Sequence, residues 1–274
     1  MNQSLSMPVK LLLLGAGLLS IVTGPVLFLL PNQTSVYFAW TIKNPLTPVF
    51  MGACYTSAGI VVLLALKSDR WSVARMVMPS VMIFAVTMLI AVPLHLNIFN
   101  WSHPIAWAWF AVYLIAAPVS IALFLITERS HRPREMTGPR VAPMAVPVMA
   151  LFAALLAIVG LALYLIPQQI ASIWPWPLTP LTARVIGGWI LAVSTSPWML
   201  ARHPRLNVAW ITLLANCLLA ALWLIGAVWQ NSDMTGPPVS VALYLAAIAA
   251  FGSFSATTWW RATRGQARRV PVSR

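Results

Sequence analysis

Acidic residues are almost absent from this chain of 274 residues, which has only 4 Asp and Glu against 17 Lys and Arg. Charged residues make up 8% of the sequence and apolar residues 60%. A soluble domain has about a quarter charged and roughly half apolar residues. The composition therefore excludes a soluble globular domain and indicates an integral membrane protein.

Chemically reactive groups are also scarce. The two cysteines, Cys54 and Cys217, form no Cys-x-x-Cys motif and indicate no metal or redox site. No carboxylate falls within a long apolar run, which argues against a proton-coupled pump or an intramembrane hydrolase. No paired acids, phosphate-binding loop or nucleophile with a nearby base can be assembled. The sequence leans against an enzyme, and we expect no metal and no cofactor.

Long apolar runs fill most of the chain. Each is close to the roughly 20 residues that a helix needs to cross about 30 Å of hydrocarbon. Backbone polar groups in hydrocarbon need internal partners, so runs of this length predict helices and not barrel strands. We predict an all-α polytopic membrane protein with about eight transmembrane helices, at residues 11–30, 48–66, 76–96, 105–126, 143–166, 182–201, 206–229 and 239–260.

The basic residues lie in alternate gaps between these runs. All Lys and Arg except Lys43 and Arg184 fall on one side if successive helices alternate in direction. Because Lys and Arg are retained on the cytoplasmic side, we predict that both termini are cytoplasmic, with a basic tail from Arg261. We expect a cell membrane, with a bacterial cytoplasmic membrane as the first choice. The same bias explains the net charge of +13 without a nucleic-acid partner.

The two halves of the sequence resemble each other. Residues 22–33 align with 158–169 at an offset of 136, and an offset of 135 applies from Pro45 onward. We predict two tandem four-helix repeats in the same orientation, residues 1–140 and 141–274, in one membrane domain. The matched pairs include Gly24 and Gly160, Pro31 and Pro167, Trp40 and Trp176, Gly52 and Gly187, and Arg70 and Arg205.

Two outer loops, residues 31–47 and 167–182, are the most informative non-helical segments. Each begins with proline and closes on Pro-Leu-Thr. In one interpretation their aromatic residues form an interfacial belt. In the other, the loops roof a cavity between the repeats, where Lys43 and Arg184 suit an anionic headgroup or carboxylate. The ligand-binding candidates are Lys43, Arg184, Trp40, Trp176, Gln33, Gln169, His95 and Asn216.

Two of these candidates have alternative interpretations. His95 ends the third run, and a solvated loop position explains it more simply than a ligand role, because a metal site lacks further ligands nearby. Asn216 is the one amide near the middle of a run. It is explained either by an interhelical hydrogen bond, worth roughly 0.6–2 kcal/mol, or by a ligand contact.

The function predicted first is transport or binding of a lipophilic or amphipathic small molecule between the two repeats. Its support is the duplication and the weakly polar interior of the runs. The alternative is a non-catalytic structural or accessory subunit of a membrane complex, and an enzyme acting on lipid comes third. The expected partners are the lipid bilayer, a lipid or lipophilic ligand and, in the alternative, a membrane protein.

Overall fold

A computed structural model describes residues 4–130 and 140–267. These residues form an all-helical protein, as predicted, with no strand beyond an isolated bridge between Arg140 and Arg205. Short helical turns fill several of the connections. The long helices of the described residues are α1 (Met7–Leu29), α2 (Leu46–Ser68), α3 (Trp71–Ala91), α4 (Pro104–Ser130), α5 (Ala145–Leu165), α6 (Pro180–Arg202), α7 (Leu206–Trp229) and α8 (Pro238–Ala267).

Seven of these helices are long and apolar enough to cross a membrane, namely α1 to α5, α7 and α8. The chain is therefore a multi-pass membrane protein by length and composition. Helix α6 is not among the seven. It carries Arg184 in its first turns and the polar run Ser194, Thr195 and Ser196, and most of its residues are buried against other helices.

Four helices form the centre of the molecule. The apolar windows of α2, α3 and α7 are 50–67% buried, whereas those of α1, α4, α5 and α8 are only 17–22% buried. Helix α6 packs against α3, α5 and α7 and joins the central group. The outer four helices thus present most of their apolar surface outward, as lipid-facing helices do.

Helices α1 and α2 pack backbone against backbone at a glycine pair. A Cβ atom built on Gly52 would lie 2.5 Å from the Phe28 nitrogen and 2.7 Å from the Gly24 oxygen. One built on Gly24 would lie 2.5 Å from the Thr56 nitrogen. Only glycine allows this separation, so α1 and α2 approach each other closely at Gly24 and Gly52.

Helices α5 and α6 approach each other at a second glycine pair. A Cβ atom on Gly187 would lie 2.7 Å from the Gly160 oxygen and 2.9 Å from the Tyr164 nitrogen. One on Gly160 would lie 2.9 Å from the Leu191 nitrogen. Each half of the molecule, residues 4–130 and 140–267, therefore has one such tight helix pair.

The bundle has two unlike ends. We call the end with the short turns 69–70 and 203–205 the basic end, and the end with connections 30–45, 92–103, 166–179 and 230–237 the loop end. At the basic end, Lys10 Nζ lies 3.0 Å from Asp69 Oδ1. The Glu128 carboxylate pairs with Arg75 and accepts from Trp71 Nε1 at 3.0 Å. These contacts fix α1 and α4 against the central helices.

Part of the predicted basic surface lies outside the described residues. This applies to Arg132 and Arg134 in the connection between the halves and to Arg268, Arg269 and Arg274 of the tail. The described beginning of the second half is anchored at the basic end, where the Val141 nitrogen donates to the Pro204 oxygen at 2.9 Å.

Candidate ligand-binding site

A cavity of about 780 Å³ lies between the helices of the first half and two helices of the second half. Helices α1, α2, α3 and α4 form most of its wall, and α6 and α7 close its inner side. The lining is mainly apolar and includes no Lys, Arg, His, Asp or Glu. A cavity with these walls suits an uncharged apolar molecule and not a hydrated ion or a sugar.

The mouth of the cavity lies between α1 and α4. Lining residues Leu11 and Leu19 of α1 and Ile115 and Val119 of α4 are themselves exposed on the outer surface. The lining of α1 runs from Pro8 to Ser20, which is the half of that helix nearer the basic end. The cavity therefore opens sideways, towards the surface that faces lipid in a membrane-spanning bundle.

Asn216 on α7 forms part of the innermost wall. Its Oδ1 accepts a 2.7 Å hydrogen bond from Ser196 Oγ on α6, so the predicted interhelical hydrogen bond is present. The side chain is 99% buried, and its Nδ2 has no hydrogen-bond partner among the described residues. Leaving a buried donor unpaired costs about 1–3 kcal/mol. Asn216 thus combines a structural contact with an unused donor.

Aromatic side chains form another part of the wall. The hydroxyl oxygens of Tyr55 on α2 and Tyr113 on α4 are 2.6 Å apart, so one donates to the other. The Trp189 ring on α6 stacks on Phe84 at a centroid distance of 3.7 Å and meets Tyr55 edge-on at 4.7 Å. Trp189 Nε1 is buried without a partner in the described parts of the chain. The wall therefore offers flat apolar rings with a second unused N–H donor.

Trp40 and Trp176 do not form an interfacial belt. They are 2% and 0% exposed, because both loops fold inward at the loop end. The Trp176 Nε1 donates to Thr47 Oγ1 at 3.0 Å, which joins the second loop to the start of α2. Trp40 packs edge-on against Trp109 at 5.3 Å, and Trp176 against Tyr244 at 5.3 Å. These two tryptophans have a packing role, and neither lines the cavity.

His95 and Arg184 come into direct contact at the loop end. Arg184 Nη1 lies 2.8 Å from His95 Nε2, and since guanidinium only donates, the imidazole accepts and is neutral. His95 is 8% exposed, so the expectation of a solvated position was wrong. Burial, and then the neighbouring Arg184 charge, lower the pKa of His95 below its ordinary value. The pair ties the connection between α3 and α4 to the start of α6.

The remaining candidates lie on the surface of the loop end. Lys43, Gln33 and Gln169 are exposed, and Arg184 is engaged with His95. The loops there bond directly to one another. The Asn44 side chain donates to the Asp233 oxygen at 3.3 Å, and the Gly236 nitrogen to the Pro175 oxygen at 2.9 Å. Of the predicted ligand-binding residues, Asn216 alone lines the cavity.

Sequence reasoning missed three polar aromatic residues of the cavity, Tyr55, Tyr113 and Trp189. A signal for the tyrosines was available, because each lies deep within an apolar run, where its hydroxyl needs a partner. Their pairing with each other was not available, because it depends on how α2 and α4 face one another. Trp189 resembled an ordinary packing residue in the sequence.

Comparison of the chain with known proteins gave no match. No protein-family model matches the chain, and no curated protein and no solved structure is significantly similar to it. The functional argument therefore depends on the geometry of this molecule.

Proposed function

We propose that this protein binds a lipophilic or amphipathic small molecule within the membrane, as a binding protein or transporter, and that the cavity is its site. The observation that carries the proposal is the cavity itself, apolar, of about 780 Å³ and open between α1 and α4. Its volume falls in the range of small-molecule sites. A molecule dissolved in the bilayer reaches such a mouth without entering water.

We further propose eight membrane crossings, with α6 as the eighth. A helix surrounded by other helices does not contact lipid, so it tolerates polar residues such as Ser194 and Ser196. The basic end is then cytoplasmic, because it carries Lys67, Arg70 and Arg202. On this arrangement the mouth faces the cytoplasmic leaflet of a cell membrane.

The duplication is part of the same proposal. The glycine pairs Gly24–Gly52 and Gly160–Gly187 lie at matched sequence positions and make matched backbone contacts. The residues that end α1 and α5, Leu30 and Ile166, have similar backbone angles, with φ −121° and ψ 48° against φ −124° and ψ 57°. Corresponding contacts at corresponding positions support two tandem repeats in the same orientation.

The test fills the cavity with side chains. Ala16 and Ala116 line it on α1 and α4, and Ala16→Phe with Ala116→Phe adds two rings inside it. Native mass spectrometry of the gently solubilised protein identifies the small molecules that it retains. We expect the wild type to retain an apolar molecule in fixed stoichiometry and the filled variant to lose it, at an unchanged thermal unfolding midpoint or a higher one.

The matched control is Leu18→Phe, which changes an exposed residue of α1 outside the cavity lining. This variant keeps the molecule if the cavity is the site. Equal retention by the wild type and the filled variant contradicts the proposal. A protein partner that stays bound while no small molecule does supports the alternative, an accessory subunit of a membrane complex.

A further inference from the structure

The two side-chain atoms of the cavity wall that are buried without a partner in the described residues are both donors, and this restricts the ligand. Most hydroxyl groups of the cavity wall donate their proton in a hydrogen bond to an oxygen of the protein. Ser57 Oγ donates to the Ala215 oxygen at 3.1 Å and Thr212 Oγ1 to the Ala209 oxygen at 2.8 Å. Thr195 and Ser196 are likewise donors to protein oxygens.

Besides the half-buried hydroxyls of Ser20 and Ser80, which can donate or accept, three donors of the wall remain. The Asn216 Nδ2 and Trp189 Nε1 groups are buried without partners in the described residues. The accepting member of the Tyr55–Tyr113 pair keeps one proton, because a pair of hydroxyls shares a single hydrogen bond. Asn216 and Trp189 both belong to the cavity wall, on the side formed by α6 and α7.

The orientation of the Asn216 amide follows from its neighbour. Ser196 Oγ has one proton and two oxygens within reach, Asn216 Oδ1 at 2.7 Å and the Thr212 oxygen at 3.4 Å. The shorter contact takes the proton, so the amide oxygen accepts from Ser196 and the amide NH₂ is left over.

We propose that the cavity selects uncharged apolar molecules that carry an acceptor oxygen, such as a ketone, quinone or ester carbonyl, and that the Asn216 amide N–H binds this oxygen, with Trp189 as the second donor. This rests on the proposed function and names its ligand class. A carboxylate or an ammonium group is excluded because the wall has no charged partner for it. A plain hydrocarbon leaves the buried donors unpaired and binds less tightly.

The test compares two probes of the same skeleton. Benzophenone is an uncharged ketone that inserts into nearby C–H bonds under ultraviolet light, so it marks the peptides that it contacts. Diphenylmethane has CH₂ in place of the carbonyl and competes for the same space. With the protein in nanodiscs, we expect benzophenone to label α1, α4 and α7 peptides. Unlabelled benzophenone should compete about tenfold more effectively than diphenylmethane, the fold-change expected of one hydrogen bond.

The matched variants are Asn216→Leu and Asn207→Leu. Both remove an asparagine of α7, but Asn207 lies outside the cavity lining. We expect Asn216→Leu to lower benzophenone affinity about tenfold and to leave diphenylmethane unchanged, while Asn207→Leu changes neither. Equal affinity of the two probes for the wild type overturns the inference and leaves cavity binding intact. Failure of both probes to label the cavity overturns the proposed function itself.

A second measurement needs no variant, which matters because Asn216→Leu also removes the acceptor of Ser196. The C=O stretching frequency of bound benzophenone falls when its oxygen accepts a hydrogen bond. We expect the frequency in the protein to lie below that in a hydrocarbon solvent. An unshifted frequency overturns the inference whatever the variants show.

Discussion

The gap between α1 and α4 is open, whereas the gap between α5 and α8 is filled. In the first half, Ala16 and Ala116 line the cavity. In the second half, Phe152 of α5 packs edge-on against Phe251 of α8 at 5.4 Å and lies 6.1 Å from Phe254. One gap is thus lined by small side chains around a cavity, and the other is closed by aromatic rings.

The polar residues of the cavity come from both halves. At the offsets proposed for the repeat, Ala16 corresponds to Phe152 and Ala116 to Phe251. Tyr113 of the first half corresponds to Ile248, whereas Asn216 belongs to the second half and corresponds to Val81, which also lines the cavity. The second half supplies the two wall donors that are buried without partners in the described residues, Asn216 Nδ2 and Trp189 Nε1. The cavity wall is therefore built by both halves, with the opening on the side of the first.

The largest expected effect comes from emptying the filled half. Phe251→Ala removes a ring that is 4% exposed and should cost about 3–5 kcal/mol of stability, seen as a lower thermal unfolding midpoint. Combined with Phe152→Ala, it should open a second space, so that benzophenone also labels α5 and α8 peptides. The control Leu151→Ala, on the exposed face of α5, should change neither measurement. A double variant as stable as the wild type would contradict the comparison.

An intermediate effect is expected at the two glycine pairs. Gly52→Ala places a methyl group within 2.8 Å of three backbone atoms, and Gly187→Ala places one 2.7 Å from a backbone oxygen. Both should destabilise the protein by about 1–3 kcal/mol, with the larger loss for Gly52→Ala, because backbone cannot move aside as a side chain can. Unfolding midpoints in detergent measure this difference.

The control for the glycine pairs is Gly15→Ala, whose added methyl group would meet no atom within 4 Å apart from the neighbouring backbone of its own helix. Alanine also favours the helix over glycine there. This variant should therefore be as stable as the wild type or more so. A loss equal to that of Gly52→Ala would mean that helix flexibility, and not close packing, explains the glycines.

The sequence was sufficient for the helices but not for the cavity. Apolar length predicted α7 at its observed bounds, while α3 begins earlier than predicted and ends at Ala91 because Pro93 starts a new turn. Asn216 was predicted as a candidate because a mid-span amide needs a partner. The cavity itself depends on the space that α1 and α4 leave between them, lined by Ala16 and Ala116, and sequence alone does not give that arrangement.

The loop end was predicted only in outline, for a related reason. Tryptophans beside a membrane helix are typical of the interfacial belt, but Trp176 finds a hydroxyl partner in Thr47 and becomes buried. The contact joins residues of different halves, so no local pattern contains it. The same holds for Arg184, whose partner His95 lies on a distant connection.

The smallest expected effect is a pH dependence of stability that arises at the His95–Arg184 contact. The pKa of His95 is lowered in the folded state, so the unfolded chain binds the proton more readily. Stability is therefore unaffected above about pH 6.5 and falls as the pH drops below it, since protonation sets two cations side by side. His95→Gln keeps an acceptor for Arg184 and should remove this part of the acid sensitivity of the unfolding midpoint.

The control is His203 at the basic end, whose pKa is also lowered by burial. His203 should contribute separately, so His203→Gln should leave the acid sensitivity due to His95 in place. Identical acid sensitivity of the wild type and His95→Gln would show that the contact does not titrate with folding.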